Sequence, residues 1–446
     1  MKRDVPHILL VNPWIHDFAA YDFWAKPMGL LSIAALLRHH GMRVSYIDCL
    51  NRFHPRAPNT DPAARHGRGP YLKTHIAKPA GLKDVERHFS RYGILPSWFK
   101  EDLQILDQPD LVLVTSLMTY WYPGIRETID NIRSVFPETP IVLGGIYARL
   151  CQAHAKKNCG ADEVAVKPAD HNLFALVRRH TGYSATLEFN PENLDSYPYP
   201  ALELQTHINY VPLLTSRGCP FSCAYCASHL LEPKRLLRSS ESVVEEISYW
   251  HKNFGVMDFV LYDDAFLVDS ENHAMPILEK IINTNLPVRF HTPNAIHIRG
   301  ISSQTARLMH RAKFYTLRLG LETVEFEHRY KIDSKVSEEE FSCAVRCLKS
   351  AGFGRTRVGA YLLAGLPDQS LDSIIQSINT VKQNGIMPVI AYYTPIPHTK
   401  LWPRAVAASR YSLDADPIFT NNAIMPCQKD PFSWEKIRSL KNLAAA

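Results

Sequence analysis

Short apolar runs alternate with stretches of helical periodicity along most of the chain. In the N-terminal part, runs bounded by turn residues predict buried strands, and apolar positions with a helical period predict helices between them. The predicted strands are residues 8–11, 44–48, 111–114, 141–143 and 163–166, and the predicted helices include residues 30–37 and 125–136. This alternation predicts an α/β fold with a doubly wound, Rossmann-like parallel sheet.

The same alternation returns six times after residue 210. The predicted strands are residues 211–216, 258–263, 288–292, 316–322, 357–363 and 388–393. Ser242 with Glu245, and Ser337 with Glu340, predict capping boxes at the starts of two intervening helices. Six βα repeats predict a partial (β/α)6 barrel of the TIM type, whose functional residues lie at the carboxyl ends of the strands.

These patterns divide the chain into domains. We predict the Rossmann-like domain at residues 1–180, a linker at 181–209, the barrel at 210–410 and a short C-terminal extension at 411–446. The linker is placed where regular patterning fades and Pro191, Pro198 and Pro200 would break a helix. An irregular insert at about residues 51–95 predicts either a cover over the cleft between the domains or a solvated loop.

Composition and charge narrow the function classes. The 446 residues are 46% hydrophobic and 21% charged, which is typical of a globular chain with more than one domain. The net charge of +6 is mild and no block of like charges occurs, so we expect no nucleic-acid partner. Apolar runs are shorter than the roughly 18 residues of a spanning helix, and no signal peptide is evident, so we expect a cytoplasmic protein without a membrane span.

The most specific feature is a group of three cysteines, Cys219, Cys223 and Cys226, directly after a predicted strand. One short loop can aim their thiolates at one point, and thiolates favour soft metals and iron–sulfur clusters. A structural zinc ion normally takes four protein ligands, so three leave a coordination position for an outside molecule. A zinc site completed by a distant His or Cys is the alternative. The odd total of nine cysteines argues for a reducing compartment and against a disulfide framework.

The Cys-x-x-x-Cys-x-x-Cys spacing, with Tyr225 before the last cysteine and a strand before the loop, resembles the signature of radical S-adenosylmethionine (SAM) enzymes. The resemblance implies that Cys219, Cys223 and Cys226 hold a 4Fe-4S cluster and that SAM chelates its fourth iron. It also implies reductive cleavage of SAM to methionine and a 5′-deoxyadenosyl radical that attacks a small-molecule substrate. A reductant such as flavodoxin or ferredoxin would supply the electron.

Polar residues near the cluster loop and at the other strand ends are the candidate SAM contacts under this resemblance. They are Tyr225, Asp263 after the second barrel strand, Asn294 after the third, and Arg318 and Glu322 on one face of the fourth. Asp263 would accept from the SAM ammonium group, or else the Asp pair caps the following helix. Asn294 could equally be a turn residue. Glu322 lies in a segment that resembles the one in which the family binds the SAM ribose.

The N-terminal domain resembles the cobalamin-binding domain of a large radical SAM subgroup. The matching residues are Asn12, Asp48, Gly144 and Gly145, all at strand ends. The motif Asp-x-His-x-x-Gly, which supplies a histidine ligand in some cobalamin domains, is absent. His16 lies in the corresponding loop without that motif, so we expect a solvent-facing loop histidine. The resemblance therefore allows cobalamin bound without a protein ligand, or a scaffold without cobalamin.

Three functional hypotheses follow. The first is a cobalamin-dependent radical SAM methyltransferase, or a related enzyme, that acts on a small molecule. The second is a radical SAM enzyme of rearrangement, cyclisation or oxidation whose N-terminal domain binds no cobalamin. The third is a metal-binding sensing protein with a structural cluster.

Overall fold

The computed structural model describes residues 5–326, 332–333, 336–428 and 434–445. The chain forms two compact units. Unit 1 is Met1–Asn209 with Asp416–Ile418, and unit 2 is Tyr210–Ala415 with Phe419–Ala446. Residues 429–433, inside the predicted C-terminal extension, lie outside the described residues. None of the helices formed by the described residues has the length and apolarity needed to cross a bilayer.

Unit 1 is built on a five-stranded parallel sheet and also contains a smaller sheet of three strands. The strands of the two sheets are β1 (His7–Asn12), β2 (Ile15–Asp17), β3 (Arg43–Asp48), β4 (Lys73–His75), β5 (Ser90–Tyr92), β6 (Leu111–Val114), β7 (Ile141–Leu143) and β8 (Glu163–Val164). The helices of unit 1 are α1 (Met28–His39), α2 (Pro96–Gln104), α3 (Tyr122–Val135), α4 (Ile146–Leu150), α5 (Gln152–Asn158) and α6 (Ala169–Thr181). The order β3-β1-β6-β7-β8 reverses direction between β1 and β6, which is the switch point where such sheets bind ligands.

Two apolar cores cover the two faces of this sheet. Leu9 and Val11 belong to the core that contains residues of α2, α3 and α4, whereas Ile8 and Leu10 belong to the core that contains residues of α1 and α6. Alternate residues of one strand therefore reach opposite layers. This two-sided burial explains why β1 reads in the sequence as an unbroken apolar run.

The predicted insert at residues 51–95 is mostly irregular, as expected, but it contains two short strands. It contributes β4 and β5, which join β2 in an antiparallel sheet of order β2-β5-β4. The buried Arg52 guanidinium donates to the Asp22 carboxylate and to the carbonyls of Gly67 and Arg68. Both β4 and β5 are three residues long, too short for a period-two pattern to identify them in the sequence.

Unit 2 is a partial barrel of six parallel strands. Its strands are β9 (Val211–Leu213), β10 (Ser216–Arg217), β11 (Leu236–Leu237), β12 (Asp258–Leu261), β13 (Arg289–His291), β14 (Phe314–Glu322), β15 (Val358–Ala364) and β16 (Met387–Tyr392). Its helices are α7 (Ser228–Leu231), α8 (Ser240–Phe254), α9 (Ala274–Thr284), α10 (Ser303–Arg311), α11 (Glu338–Ser350), α12 (Leu371–Gln383), α13 (Trp402–Ala408) and α14 (Trp434–Ala445). The barrel strands follow chain order, β9-β12-β13-β14-β15-β16, and β10 pairs separately with β11.

The starts of two barrel helices test the predicted capping boxes. At α11 the Ser337 hydroxyl accepts from the Glu340 backbone N–H, and the Glu340 carboxylate accepts from the Ser337 N–H, so this prediction is confirmed. The box predicted for Ser242 and Glu245 is wrong. Helix α8 starts earlier, and the hydroxyl of Ser239 caps it by accepting from the Ser242 N–H.

Candidate active site

The three cysteines lie in a loop at the carboxyl end of β9, between the paired strands β10 and β11. Gly218 opens the loop with a φ of +84°, and a Cβ there would lie 2.3 Å from the Lys234 carbonyl oxygen. The loop therefore begins with a conformation and a close backbone approach that only glycine accommodates without distortion.

Backbone bonds hold the middle of the loop. The Ala224 N–H donates to the Ile332 carbonyl, and the Ala224 carbonyl accepts from the Leu401 N–H, both at 2.8 Å. The Cys226 N–H donates to the Cys223 carbonyl at 3.1 Å and closes a turn. The Sγ of Cys226 accepts from the backbone N–H of Ser228 at 3.4 Å. Such donors orient a sulfur ligand and stabilise negative charge on it.

The spacing of the thiols bears on the metal they suit. Cys223 is buried, whereas Cys219 and Cys226 are partly exposed. In the part of the chain that the structure describes, these three do not form a group whose ligand atoms all lie within 4.8 Å of one another. A single zinc ion binds each sulfur at about 2.3 Å, which would bring every pair inside that limit. Three thiolates of one loop suit a cluster of several iron atoms whose remaining iron takes an outside ligand, whereas a structural zinc ion would need a fourth protein ligand.

Asp263 lies just after β12, where its carboxylate is engaged within the fold. Oδ1 accepts from the hydroxyls of Thr215 and Ser216 at 2.6 and 2.7 Å, and Oδ2 accepts from the Thr215 N–H at 3.1 Å. Burial raises the pKa of Asp263, and these donors oppose the shift. The SAM contact of Asp263 therefore stays a prediction, and the structure shows this carboxylate bonded to the residues that lead into the cysteine loop. Sequence reasoning missed Thr215 and Ser216, because hydroxyl residues before a glycine are too common to signal a role.

The structure brings Tyr225 and Glu322 together, the loop aromatic and the carboxylate at the end of β14. Burial raises the pKa of Tyr225 well above its usual value, and the charge of Glu322 and a hydrogen bond to its carboxylate raise it further. The phenol therefore stays protonated and donates. Glu322 has a φ of +64°, at the point where the register of β14 with β15 shifts. Positive φ in a residue other than glycine is strained, and such strain is concentrated at functional sites.

The other two predicted SAM contacts occupy different settings in the barrel. Arg318 is half-buried and donates from Nη1 to the Leu317 carbonyl at 2.9 Å. A Cβ at Gly359 would lie 3.3 Å from that Nη1, so the glycine leaves room for the guanidinium. Asn294 is exposed, and its Nδ2 donates to the Tyr262 carbonyl at 2.8 Å, which links the ends of β13 and β12.

The residues predicted to contact cobalamin lie at the carboxyl edge of the unit 1 sheet. Asn12 and Asp48 end neighbouring strands, and Nδ2 of the first donates to Oδ1 of the second at 2.7 Å. A Cβ at Gly144 would meet nothing within 4 Å, whereas one at Gly145 would lie 2.3 Å from the Ser116 carbonyl oxygen. Gly144 therefore leaves open space at this edge, whereas Gly145 is required by its own close approach to Ser116.

His16 corrects our expectation of a solvent-facing loop residue. It lies in β2 and is only 7% exposed. Its Nε2 is 2.7 Å from Oε2 of Glu127, to which Arg91 also donates from Nε at 2.9 Å. Burial opposes ionisation of Glu127, but the bonds from His16 and Arg91 outweigh it and lower the pKa of Glu127 to about 2. His16 is therefore a buried neighbour of the Glu127 carboxylate within unit 1.

Residues 213–381, which include the cysteine loop, match the radical SAM superfamily. The chain carries a radical SAM domain. This confirms the resemblance read from the cysteine spacing. The radical SAM domain lies within unit 2, and its cysteine loop occupies the carboxyl end of the first barrel strand, the edge at which barrel enzymes place their chemistry.

Known relatives extend the comparison beyond the radical SAM domain. An uncharacterized methyltransferase of Pyrococcus horikoshii is 28% identical over 225 residues, 48% of each chain, so this chain matches about half the length of that relative. The cytidylyl-2-hydroxyethylphosphonate methyltransferase of Streptomyces wedmorensis is 22% identical over 427 residues, covering 82% of this chain and 74% of that one.

Among solved structures, the radical SAM methyltransferase TsrM from Kitasatospora setae, determined with cobalamin and a 4Fe-4S cluster, matches with a TM-score of 0.65. The match covers 90% of this chain and 75% of that chain at 16% identity, so it concerns the fold. Together with the strand orders, it confirms the predicted fold class of a Rossmann-like sheet followed by a partial (β/α)6 barrel.

Proposed function

We propose that this chain is a radical SAM enzyme whose Cys219, Cys223 and Cys226 bind a 4Fe-4S cluster. The observation that carries the proposal is the cysteine loop itself, fixed at the carboxyl end of the first barrel strand inside the segment that matches the superfamily. The donor set fits the group, since three thiolates leave one position for SAM. When bound, the cluster supplies the electron that cleaves SAM to methionine and a 5′-deoxyadenosyl radical.

The side chains of unit 2 would bind and orient SAM beside this loop. Glu322 offers a carboxylate for hydroxyl donors, and the Tyr225 hydroxyl holds that carboxylate toward the loop. Arg318 is suited to a carboxylate of the ligand, because a guanidinium forms charge-assisted pairs. Asn294, at the same end of the strands, would add polar contacts. Ala224 and Tyr225 pack against a buried apolar cluster that contains Leu363, Leu366 and Leu401, which would exclude water from one side of the loop.

We further propose methyl transfer to a small molecule, with cobalamin bound at the carboxyl edge of the unit 1 sheet. The switch point between β1 and β6, the small residues Gly144 and Gly145, and the polar pair of Asn12 and Asp48 support this assignment. The similarity to two proteins named methyltransferases supports it further. His16 lies buried against Glu127, so we do not assign it to the cobalamin site. A cytoplasmic flavodoxin or ferredoxin would act as reductant.

Anaerobic reconstitution with iron, sulfide, SAM and a reductant tests the proposed chemistry. We expect 5′-deoxyadenosine, and we expect Cys223→Ala to lose iron–sulfur absorbance while the chain stays folded. Cys343→Ala is the matched control, because Cys343 is an exposed cysteine of α11 away from the loop. An intact cluster without SAM cleavage would argue for the sensing hypothesis, and a cluster retained by Cys223→Ala would contradict the ligand assignment.

Cobalt content separates the two enzymatic hypotheses. Protein expressed with ample cobalamin should carry cobalt and a corrinoid absorption band in proportion to chain concentration. SAM cleavage in protein that holds neither would overturn methyl transfer through cobalamin and leave rearrangement, cyclisation or oxidation as the reaction class.

A further inference from the structure

One buried carboxylate binds both residues that lead into the cysteine loop. Asp263 accepts from the side-chain hydroxyls of Thr215 and Ser216 and from the backbone N–H of Thr215, at 2.6 to 3.1 Å. Thr215 and Ser216 are fully buried, and Asp263 is 3% exposed. Cys219 follows Ser216 by only one turn of chain. The carboxylate thus lies under the arm of the loop that delivers the first thiol.

The Asp263 side chain accepts a backbone hydrogen bond at the point where the ladder between β9 and β12 ends. The Tyr262 N–H donates to the Leu213 carbonyl at 2.9 Å, so a parallel ladder would next join the Thr215 N–H to the Tyr262 carbonyl. Instead, the Tyr262 carbonyl accepts from Asn294, and the Thr215 N–H turns to the Asp263 carboxylate. The side chain therefore sets where the first strand leaves the sheet and becomes the loop.

A histidine extends this contact to α9. Nε2 of His273 lies 2.9 Å from Oγ1 of Thr215. Because the Thr215 hydroxyl gives its hydrogen to Asp263, its oxygen must accept from His273, which assigns the hydrogen of a neutral imidazole to Nε2. Burial, followed by the charge of Arg235, lowers the pKa of His273 to about 4. The imidazole is therefore neutral near pH 7 and donates to the threonine.

The short strand pair at the base of the loop needs this support. β10 and β11 are two residues long and pair through Ser216 with Leu237 and Arg217 with Leu236, and one more backbone bond joins the Arg238 N–H to the Thr215 carbonyl at 2.9 Å. A two-residue ladder is marginal without further contacts. Burying a carboxylate is costly unless donors surround it, and the hydroxyls and N–H of Thr215 and Ser216 meet that need. The carboxylate and the arm of the loop thus stabilise each other.

We propose that Asp263 is a positioning residue for the iron–sulfur cluster, which acts through Thr215 and Ser216, with His273 behind them, and does not itself contact SAM. This inference rests on the function proposed above, since it presumes that the cysteine loop holds a cluster. Asp263 fixes the exit of the loop and so the placement of Cys219.

Asp263→Asn tests the proposal, with Asp258→Asn as the matched control. Asp258 is a buried acid at the opposite end of β12, 5% exposed, and it accepts from Arg289 and His291. Both substitutions turn one acceptor into a donor inside unit 2, but only the first lies under the loop. We expect Asp263→Asn to lose iron to a chelator about tenfold faster than the unchanged chain, in the range typical for supporting residues of metal ligands.

Three further measurements keep the test decisive. Asp258→Asn should release iron at the unchanged rate. Ser216→Ala removes a single hydroxyl and serves as the second variant if Asp263→Asn folds poorly. Its rate of iron release should lie above that of Asp258→Asn and below the tenfold increase expected for Asp263→Asn. Hydrogen exchange of the cluster-free chain should be faster over residues 215–223 in Asp263→Asn than in Asp258→Asn. The electron paramagnetic resonance signal of the reduced cluster that remains in Asp263→Asn should still shift when SAM is added.

Contrary results separate this proposal from the one on which it rests. Equal iron release from Asp263→Asn and Asp258→Asn would overturn the positioning role alone. A stable cluster in Asp263→Asn whose signal no longer responds to SAM would instead establish Asp263 as a SAM contact. Failure of the unchanged chain to bind a cluster would overturn the proposed function and this inference with it.

Discussion

Gly218→Ala probes the geometry at the entry of the cysteine loop. The added methyl group would lie 2.3 Å from the Lys234 carbonyl oxygen and 3.1 Å from the Glu232 carbonyl oxygen. Both atoms belong to the backbone, so neither can rotate away. The left-handed conformation, with a φ of +84°, costs a residue with a side chain about 1–2 kcal/mol. Crowding of well-packed atoms typically adds about 1–3 kcal/mol. We therefore expect the free energy of unfolding to fall by about 2–5 kcal/mol.

Gly255→Ala isolates the conformational part of that cost. Gly255 ends α8 with a φ of +67°, and a Cβ there would meet nothing within 4 Å. This variant should lose only about 1–2 kcal/mol. Urea unfolding of both cluster-free variants, followed by circular dichroism, gives the difference, and iron per chain after anaerobic reconstitution reports the loop. If Gly218→Ala matches Gly255→Ala in both stability and iron, the close approach to Lys234 does not hold the loop.

Two further predictions concern single contacts. Tyr225→Phe removes the hydroxyl that holds the Glu322 carboxylate, and a hydrogen bond to a charged group is worth about 1.5–3 kcal/mol. We therefore expect SAM affinity, measured by calorimetry on the reconstituted protein, to fall about tenfold with iron content unchanged; unchanged affinity would separate Glu322 from SAM. The pKa of Glu127 is about 2 in the folded chain, below the ordinary value of a glutamate. The bonds to the ionised Glu127 carboxylate therefore stabilise the fold at neutral pH, and this stabilisation is lost as the pH falls from about 4 toward 2. The free energy of unfolding should thus fall more steeply over that range in the unchanged chain than in Glu127→Gln, and parallel profiles would contradict the assignment.

The main strands could be predicted because burial on both faces makes each an apolar run that the sequence displays directly. All six predicted barrel strands have counterparts in β9 and in β12 to β16. The strands that escaped prediction are β2, β4, β5, β10 and β11, each two or three residues long. Strands this short exist because of partners distant in sequence, which local periodicity does not contain.

The candidate site shows the same division. The cysteine spacing is a local signal, so the sequence alone could predict a metal site at Cys219, Cys223 and Cys226, and this site stays a prediction. The hydrogen-bond partners and the burial of single polar side chains could not be predicted from the sequence. Asp263 is at a strand end as predicted, but its engagement depends on which donors surround it. The burial of His16 likewise depends on Glu127, which lies far along the chain.

The anchoring of the cysteine loop has a consequence for the order of events during synthesis. Ala224 bonds to Ile332 and Leu401, and Lys400 bonds to Ser222 across 178 residues of chain. At roughly 5–20 residues per second, a ribosome needs about 10–35 s to make that intervening stretch. Throughout this time the three cysteines have been synthesised, but the residues that anchor their loop have not. Loading of the proposed cluster would therefore follow completion of the barrel, or proceed on a nascent loop that is still open to oxidants.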